Sequence, residues 1–177
     1  MDFKSVRRVV TGHDSSGKSI VSHDEIISAI YANASMPGRG MADVWKSDRV
    51  PSPVHEAVDM TRTTPVQLLP PKGGFVVRVV EIPPDTGAPA GHSTYFQGMG
   101  AGTDIRPEAS RHPTMHKTPT LDVGVILSGE IWALLDDSEV LLRAGDFLVQ
   151  RATLHGWANR SDKPCVMAGI LLAAESA

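Results

Sequence analysis

Alternating apolar and polar positions dominate the second half of the chain. From Met115 onward short runs follow one another quickly: "DVGVILS", "EIWALLD", "SEVLLR", "DFLVQR", "HGWANR" and "VMAGILLA". The segments between them, "SGE", "DDSE", "RAGD" and "SDKP", carry turn chemistry. Ahead of them "FVVRVVEIPP" reads as a strand, with Val77, Val79 and Glu81 on one face and Arg78, Val80 and Ile82 on the other. Short, evenly spaced strands of this kind predict an all-β fold, an antiparallel barrel or sandwich. Gly129 and Gly145 suit tight turns where φ is positive, and Asp146 is expected to hydrogen-bond the second of them.

The first half is less regular. "RRVVTG" and "SIVSH" flank the turn residues Asp14, Ser15 and Gly17 and predict a hairpin. In "DEIISAIYANAS", Ile26, Ile27, Ile30 and Tyr31 recur at helical spacing, so the pattern predicts a short helix with Asp24 as its N-cap. "MADVWKSD" reads as a further edge strand, followed by a proline-punctuated connection to residue 74. From Asp85 to about Arg111 a Gly/Pro/Ala-rich loop carries Tyr95 and Phe96; a loop of that length points to function or disorder.

Composition narrows the class. The 177 residues suit one ordinary domain, and 41% hydrophobic with 21% charged residues is neither disordered nor membrane-like. No apolar run reaches the roughly 18 residues of a membrane span, and "MDFKSVRRVV" lacks a signal-peptide core. A net charge of -3 without a basic patch argues against nucleic acid. The single Cys165 excludes an internal disulfide framework and suits a cytoplasmic location, as a buried apolar side chain.

Strand parity brings the chemistry together. Positions 116, 118 and 122 share one face of a regular strand, so His116, Thr118 and Asp122 point the same way. His155, Trp157 and Asn159 also share parity, and His155 on a neighbouring strand can meet His116 and Asp122 across the interior. Two imidazoles and one carboxylate match a set that binds one divalent ion, iron, manganese, nickel or zinc. The bland alternatives are a solvated loop histidine at 116, a turn-capping role for Asp122 and a core histidine at 155. His112 shares the parity, but Pro113 intervenes and four extended residues span roughly 13 Å, which sets it apart. His13, His23, His55 and His92 lie in turn-rich segments and are expected on the surface, and Trp132 in the core. Arg151 is the basic side chain beside the site in sequence, placed to pair with a substrate carboxylate or simply to end a strand.

The span from His112 to Leu172 resembles the cupin superfamily. In that family's first motif two histidines and a glutamate precede a glycine; here His116 and Thr118 take the histidine places, Asp122 the glutamate place and Gly129 the glycine. In the second motif Gly145 opens the pattern, Arg151 and Thr153 stand where proline and glycine are usual, and His155 keeps its three-residue spacing to Asn159. The resemblance implies a double-stranded β-helix, or jelly roll, over residues 75–172, with residues 1–74 as an extension packed on it. It also implies a homodimer, and a metal held by His116, Asp122 and His155 with Thr118 close by. Trp157, Tyr95 and Phe96 then wall a pocket for a small, partly hydrophobic molecule, with Arg151 at its side. Three functions stay open: a metal-dependent oxygenase, lyase, isomerase or dehydratase; a non-catalytic ligand-binding barrel; and a structural barrel.

Overall fold

The computed structural model describes residues 3–32, 36–54, 58–85, 92–102, 105 and 110–175. Its strands are β1 (Arg7–His13), β2 (Ser19–Ile26), β3 (Ile30–Ala32), β4 (Gly40–Ser47), β5 (Phe75–Ile82), β6 (Thr120–Ser128), β7 (Glu130–Leu134), β8 (Glu139–Arg143), β9 (Phe147–Arg151), β10 (Gly156–Ala158) and β11 (Cys165–Ala173); one short helix, α1, spans His92–Gln97. They form a six-stranded sheet in the order β3-β4-β5-β11-β6-β9, a three-stranded sheet β10-β7-β8 and the separate hairpin β1-β2. All strand pairings are antiparallel. Among the described residues no helix is long and apolar enough to cross a membrane.

The two larger sheets close face to face. Ile82, Ile126, Cys165 and Met167 of the six-stranded sheet pack against Ile131, Ala133 and Leu142 of the three-stranded one. Fully burying an aliphatic side chain contributes roughly 1.5–3 kcal/mol, so this layer holds the sheets together. A second cluster, Met41, Val66, Leu68, Tyr95, Phe96, Met99 and Ile105, fills the other end. Burial holds the Cys165 thiol up at about 11, which keeps it an inert core group. At the turns Gly129 and Gly145 adopt φ of 74° and 95°, and the Asp146 carboxylate accepts from the Arg143 amide at 2.8 Å.

The N-terminal half departs from its sequence pattern. The hairpin forms, and the Asp14 carboxylate accepts from the Ser16 and Lys18 amides at 2.8 and 3.0 Å. Among the described residues no helix follows: β2 continues to Ile26, and Ile30–Ala32 pairs with Gly40–Ala42, while residues 33–35 of the expected helix lie outside the described residues. The β-branched isoleucines find strand partners, and Asp24 pairs with Arg7 at 2.7 Å instead of capping a helix. β4 is internal rather than an edge, because β3 covers its far side. The sheet therefore crosses residue 75, and the segment before it supplies strands as well as an outer hairpin. The loop begun at Asp85 contains α1, which seats Tyr95 and Phe96 in the core at 1% and 4% exposure.

Candidate functional site

His116 and His155 meet in an isolated antiparallel bridge outside the named strands. Each imidazole turns Nδ1 onto a carbonyl two residues back: His116 to Thr114 at 2.8 Å and His155 to Thr153 at 2.9 Å. A carbonyl only accepts, so both Nδ1 atoms carry the proton and, in the neutral rings, both lone pairs sit on Nε2. The ring centroids are 4.2 Å apart. Phe96 continues the row beyond His116 at 4.8 Å, and Trp157 beyond His155 at 5.9 Å. Burial lowers the pKa of His155, which is 5% exposed, so it is neutral at physiological pH.

These rings line a cavity of about 100 Å³, several times the space one water needs. Its wall also includes Thr118, Asp122, Tyr95, Phe96 and Trp157, together with Met41, Val80 and Ile82. Burial pushes the Asp122 carboxyl up, against a hydrogen bond from Thr120 and the pull of Arg78. Thr118 Oγ1 lies 2.7 Å from Thr120 Oγ1. With the Thr120 proton on Asp122, Thr118 donates to Thr120, forming a relay that ends on the carboxylate. Asp122 Oδ1 is buried without a hydrogen-bond partner among the described residues.

The structure thus gathers His116, Thr118, Asp122, His155, Trp157, Tyr95 and Phe96 around one cavity. Arg151 is a correction. It is exposed and outside the cavity wall, because β9 pairs Asp122 with Gln150 and Leu121 with Arg151. Gln150 is therefore the β9 residue that faces inward, 7% exposed and with Nε2 unpartnered among the described residues. His112 sits off the cavity, its Nδ1 2.7 Å from Thr114 Oγ1. His13 and His23 are exposed; His55 and the side chain of His92 lie outside the described residues. Trp132 is half-buried beneath the Arg160 guanidinium, which lies 4.8 Å from its ring centroid. Asn159 is structural: it donates to the carbonyls of Ile82 and Lys163 at 2.9 and 2.8 Å.

Two arginines in the cavity wall escaped the sequence reading. Arg39 and Arg78 are 5% and 3% exposed. Arg78 faces Asp43 across the β4–β5 pair, with an ion pair at 3.1 Å, and donates to the Gln67 carbonyl at 2.7 Å. The even face of β5 was the available signal, since Arg78 shares it with Val80 and Ile82. Nothing in the local pattern marked Arg39.

The donor types suit a divalent ion, and the carbonyl-anchored Nδ1 atoms are the outer support that metal-bound imidazoles use. Convergence is another matter. Among the described residues no three His, Cys, Asp or Glu side chains close together as a metal-holding group. Asp122 shares the cavity with the imidazoles without completing a three-donor set, so the residues as placed do not fit the expected site.

The cupin domain family model (Cupin_2) matches residues 103–172. Phomopsin biosynthesis cluster protein C' of Diaporthe leptostromiformis is 30% identical over 166 residues, covering 90% of this chain and 74% of that protein. The cupin-domain-containing oxidoreductase srdD of Neurospora crassa is 22% identical over 162 residues, covering 89% and 68%. A conserved protein with a double-stranded β-helix domain from Klebsiella pneumoniae aligns over 84% of this chain and 87% of its own, at 15% identity and a TM-score of 0.45. With 30% identity to a relative of which it covers 74%, and with His116 and His155 inside the matched segment, the chain belongs to the cupin superfamily.

Proposed function

We propose that the protein is an enzyme that moves a proton on a small, partly hydrophobic organic molecule held in the barrel, as in an isomerisation or dehydration. The observation that carries this reading is the pair of buried imidazoles with fixed tautomers at the wall of a largely apolar cavity. A neutral His155 presents Nε2 as a base, and His116 beside it is the second proton-transfer group. Thr118 and Asp122 form a polar strip that orients the ligand's oxygen, while Phe96 and Trp157 exclude water from its carbon skeleton. Relatives named as biosynthesis cluster proteins and as cupin-domain oxidoreductases support an enzymatic role on small molecules.

The test is proton exchange. A panel of small β-hydroxy and α-methylene carbonyl compounds, both neutral and acidic, is incubated in heavy water with metal-depleted protein and followed by NMR. Deuterium incorporation that falls about 100-fold or more in His155→Gln supports the reading. Absence of exchange across the panel, or exchange that the variant preserves, overturns it.

The carbonyl-anchored imidazoles support a second reading, in which His116 and His155 hold one divalent ion, iron, manganese, nickel or zinc, for oxygenation or Lewis-acid chemistry. Metal analysis of protein purified without chelators or a nickel column decides it: one ion per chain, lost in His155→Ala, favours this reading.

We also propose that copies pair. Phe147, Val149, Leu121 and Ile170 stand 68%, 59%, 38% and 39% exposed on the outer face of the six-stranded sheet, and among the described residues β9 is an open edge of it. An apolar sheet face beside an unpaired edge suits a second copy of the chain. The single, buried Cys165 is consistent with a reducing, cytoplasmic setting.

A further inference from the structure

Arg39 is the group the site leaves unexplained. It precedes β4, and its side chain lines the cavity that holds His116 and His155. Its residue exposure is 5%, and Nε has no hydrogen-bond partner among the described residues. Its guanidinium carbon lies 5.3 Å from the Tyr95 ring centroid, a contact that orients the head without neutralising it.

Comparison with the other buried cations sharpens the point. Arg78 pairs with Asp43 at 3.1 Å, and Arg8 pairs with Asp59 at 2.6 Å. Arg39 has no carboxylate within ion-pair distance among the described residues; Asp85 attracts it only from farther away. Arg39 therefore places a buried guanidinium in the cavity wall with no ion-pair partner among the described residues, and burying such a charge is costly unless a partner arrives.

We propose that Arg39 binds the anionic group of the ligand, a carboxylate, so that the cavity selects small organic acids over their neutral counterparts. This rests on the reading of the cavity as a small-molecule site and adds its charge. The planar guanidinium matches a carboxylate with two parallel N–H donors, and the apolar wall of Phe96, Trp157, Met41 and Val80 takes the carbon skeleton. The carboxylate end is thereby fixed at Arg39 and the reacting carbons are turned toward the imidazoles.

The experiment measures binding alone, by calorimetry and Trp fluorescence, using benzoate and its neutral isostere benzamide as probes on the intact, metal-depleted chain. Wild-type protein is expected to prefer benzoate at least tenfold. Arg39→Gln abolishes the preference, and Arg39→Lys, which keeps the charge and loses the fork, restores part of it; far-UV circular dichroism verifies that both variants fold. Equal affinity of wild type for the two probes, binding of neither, or a preference that survives in Arg39→Gln overturns the proposal. A failure here with proton exchange intact removes the anion preference and leaves the enzymatic reading standing, because that exchange panel includes neutral compounds.

Discussion

His116 and His155 bond to each other through their backbones in both directions: the His116 amide donates to the His155 carbonyl at 2.7 Å, and the His155 amide to the His116 carbonyl at 3.0 Å. This reciprocal pair fixes the backbone spacing of the two residues, and the Nδ1 bonds to the Thr114 and Thr153 carbonyls then orient the rings. The imidazoles are thus positioned before a ligand or ion arrives, which is the preorganisation a reactive site requires.

The bridge depends on its neighbour Thr114. The Thr114 hydroxyl donates to the Trp157 carbonyl at 3.0 Å and accepts from the Trp157 amide at 2.9 Å. Thr114→Val preserves shape and strands the Trp157 amide and carbonyl in the interior. It is expected to cost about 2 kcal/mol in chemical denaturation. A variant as stable as wild type would show that the hydroxyl is not a structural tie.

Asp122 opposes folding at neutral pH. Its carboxyl pKa is raised in the folded state by burial, so the folded protein holds its proton more tightly than the unfolded chain does. The penalty is absent below pH about 4 and grows as pH rises through the folded value. Asp122→Asn in chelator-dialysed protein is expected to gain about 1 kcal/mol at pH 7 and nothing at pH 3. Thermal unfolding at both pH values checks this; a loss of stability at pH 7 would show that another group compensates Asp122.

Arg8 ties the hairpin to β4 and to the turn at residues 59–62. It reaches Glu25 at 2.5 Å, Asp59 at 2.6 Å and the Val44 carbonyl at 2.9 Å. Burial pushes the Asp59 carboxyl up, but hydrogen bonds from Arg8 and Thr61 outweigh it and hold the group low. Stability from this pairing is present above pH about 4 and lost as pH falls through the folded value. Arg8→Met is expected to lose about 3 kcal/mol at pH 7 and to flatten the acid limb of the stability profile, measured by urea unfolding from pH 7 to 2.5.

The two turn glycines separate strain from crowding. Gly129 and Gly145 both have positive φ, but a Cβ on Gly129 would sit 2.5 Å from the Pro164 carbonyl oxygen, while one on Gly145 meets nothing within 4 Å. Gly145→Ala is expected to cost about 1 kcal/mol and Gly129→Ala appreciably more, because the latter must also move backbone. Equal losses in denaturant titrations would refute the crowding argument.

The outer sheet face sets the oligomeric expectation. Phe147→Lys with Val149→Lys is expected to convert a dimer at micromolar concentration to monomer in sedimentation equilibrium, leaving the inward residues of β9 undisturbed. Wild-type protein that sediments as a monomer removes the pairing proposal.

Period-two alternation was enough to reveal the strands from Phe75 to Ala173, because a strand with one face in a core must alternate. Strand parity also named His116, Thr118 and Asp122, which line one cavity, although only Asp122 lies on β6 and His116 sits in the isolated bridge ahead of it. Sequence could not choose between Arg151 and Gln150, since that choice is the register of β9 against β6, and a one-residue slip exchanges the faces. Nor could it decide the segment from Asp24 to Tyr31, where isoleucines at helical spacing became strands because Arg7–His13 and Gly40–Ala42 offered backbone partners. Arg39 was hidden for a related reason: an arginine after a Pro-Gly turn looks solvent-facing until the strand it leads into is paired on both sides. Local pattern determines which residues can share a face. Long-range pairing decides which face is inside, and so which charges the cavity holds.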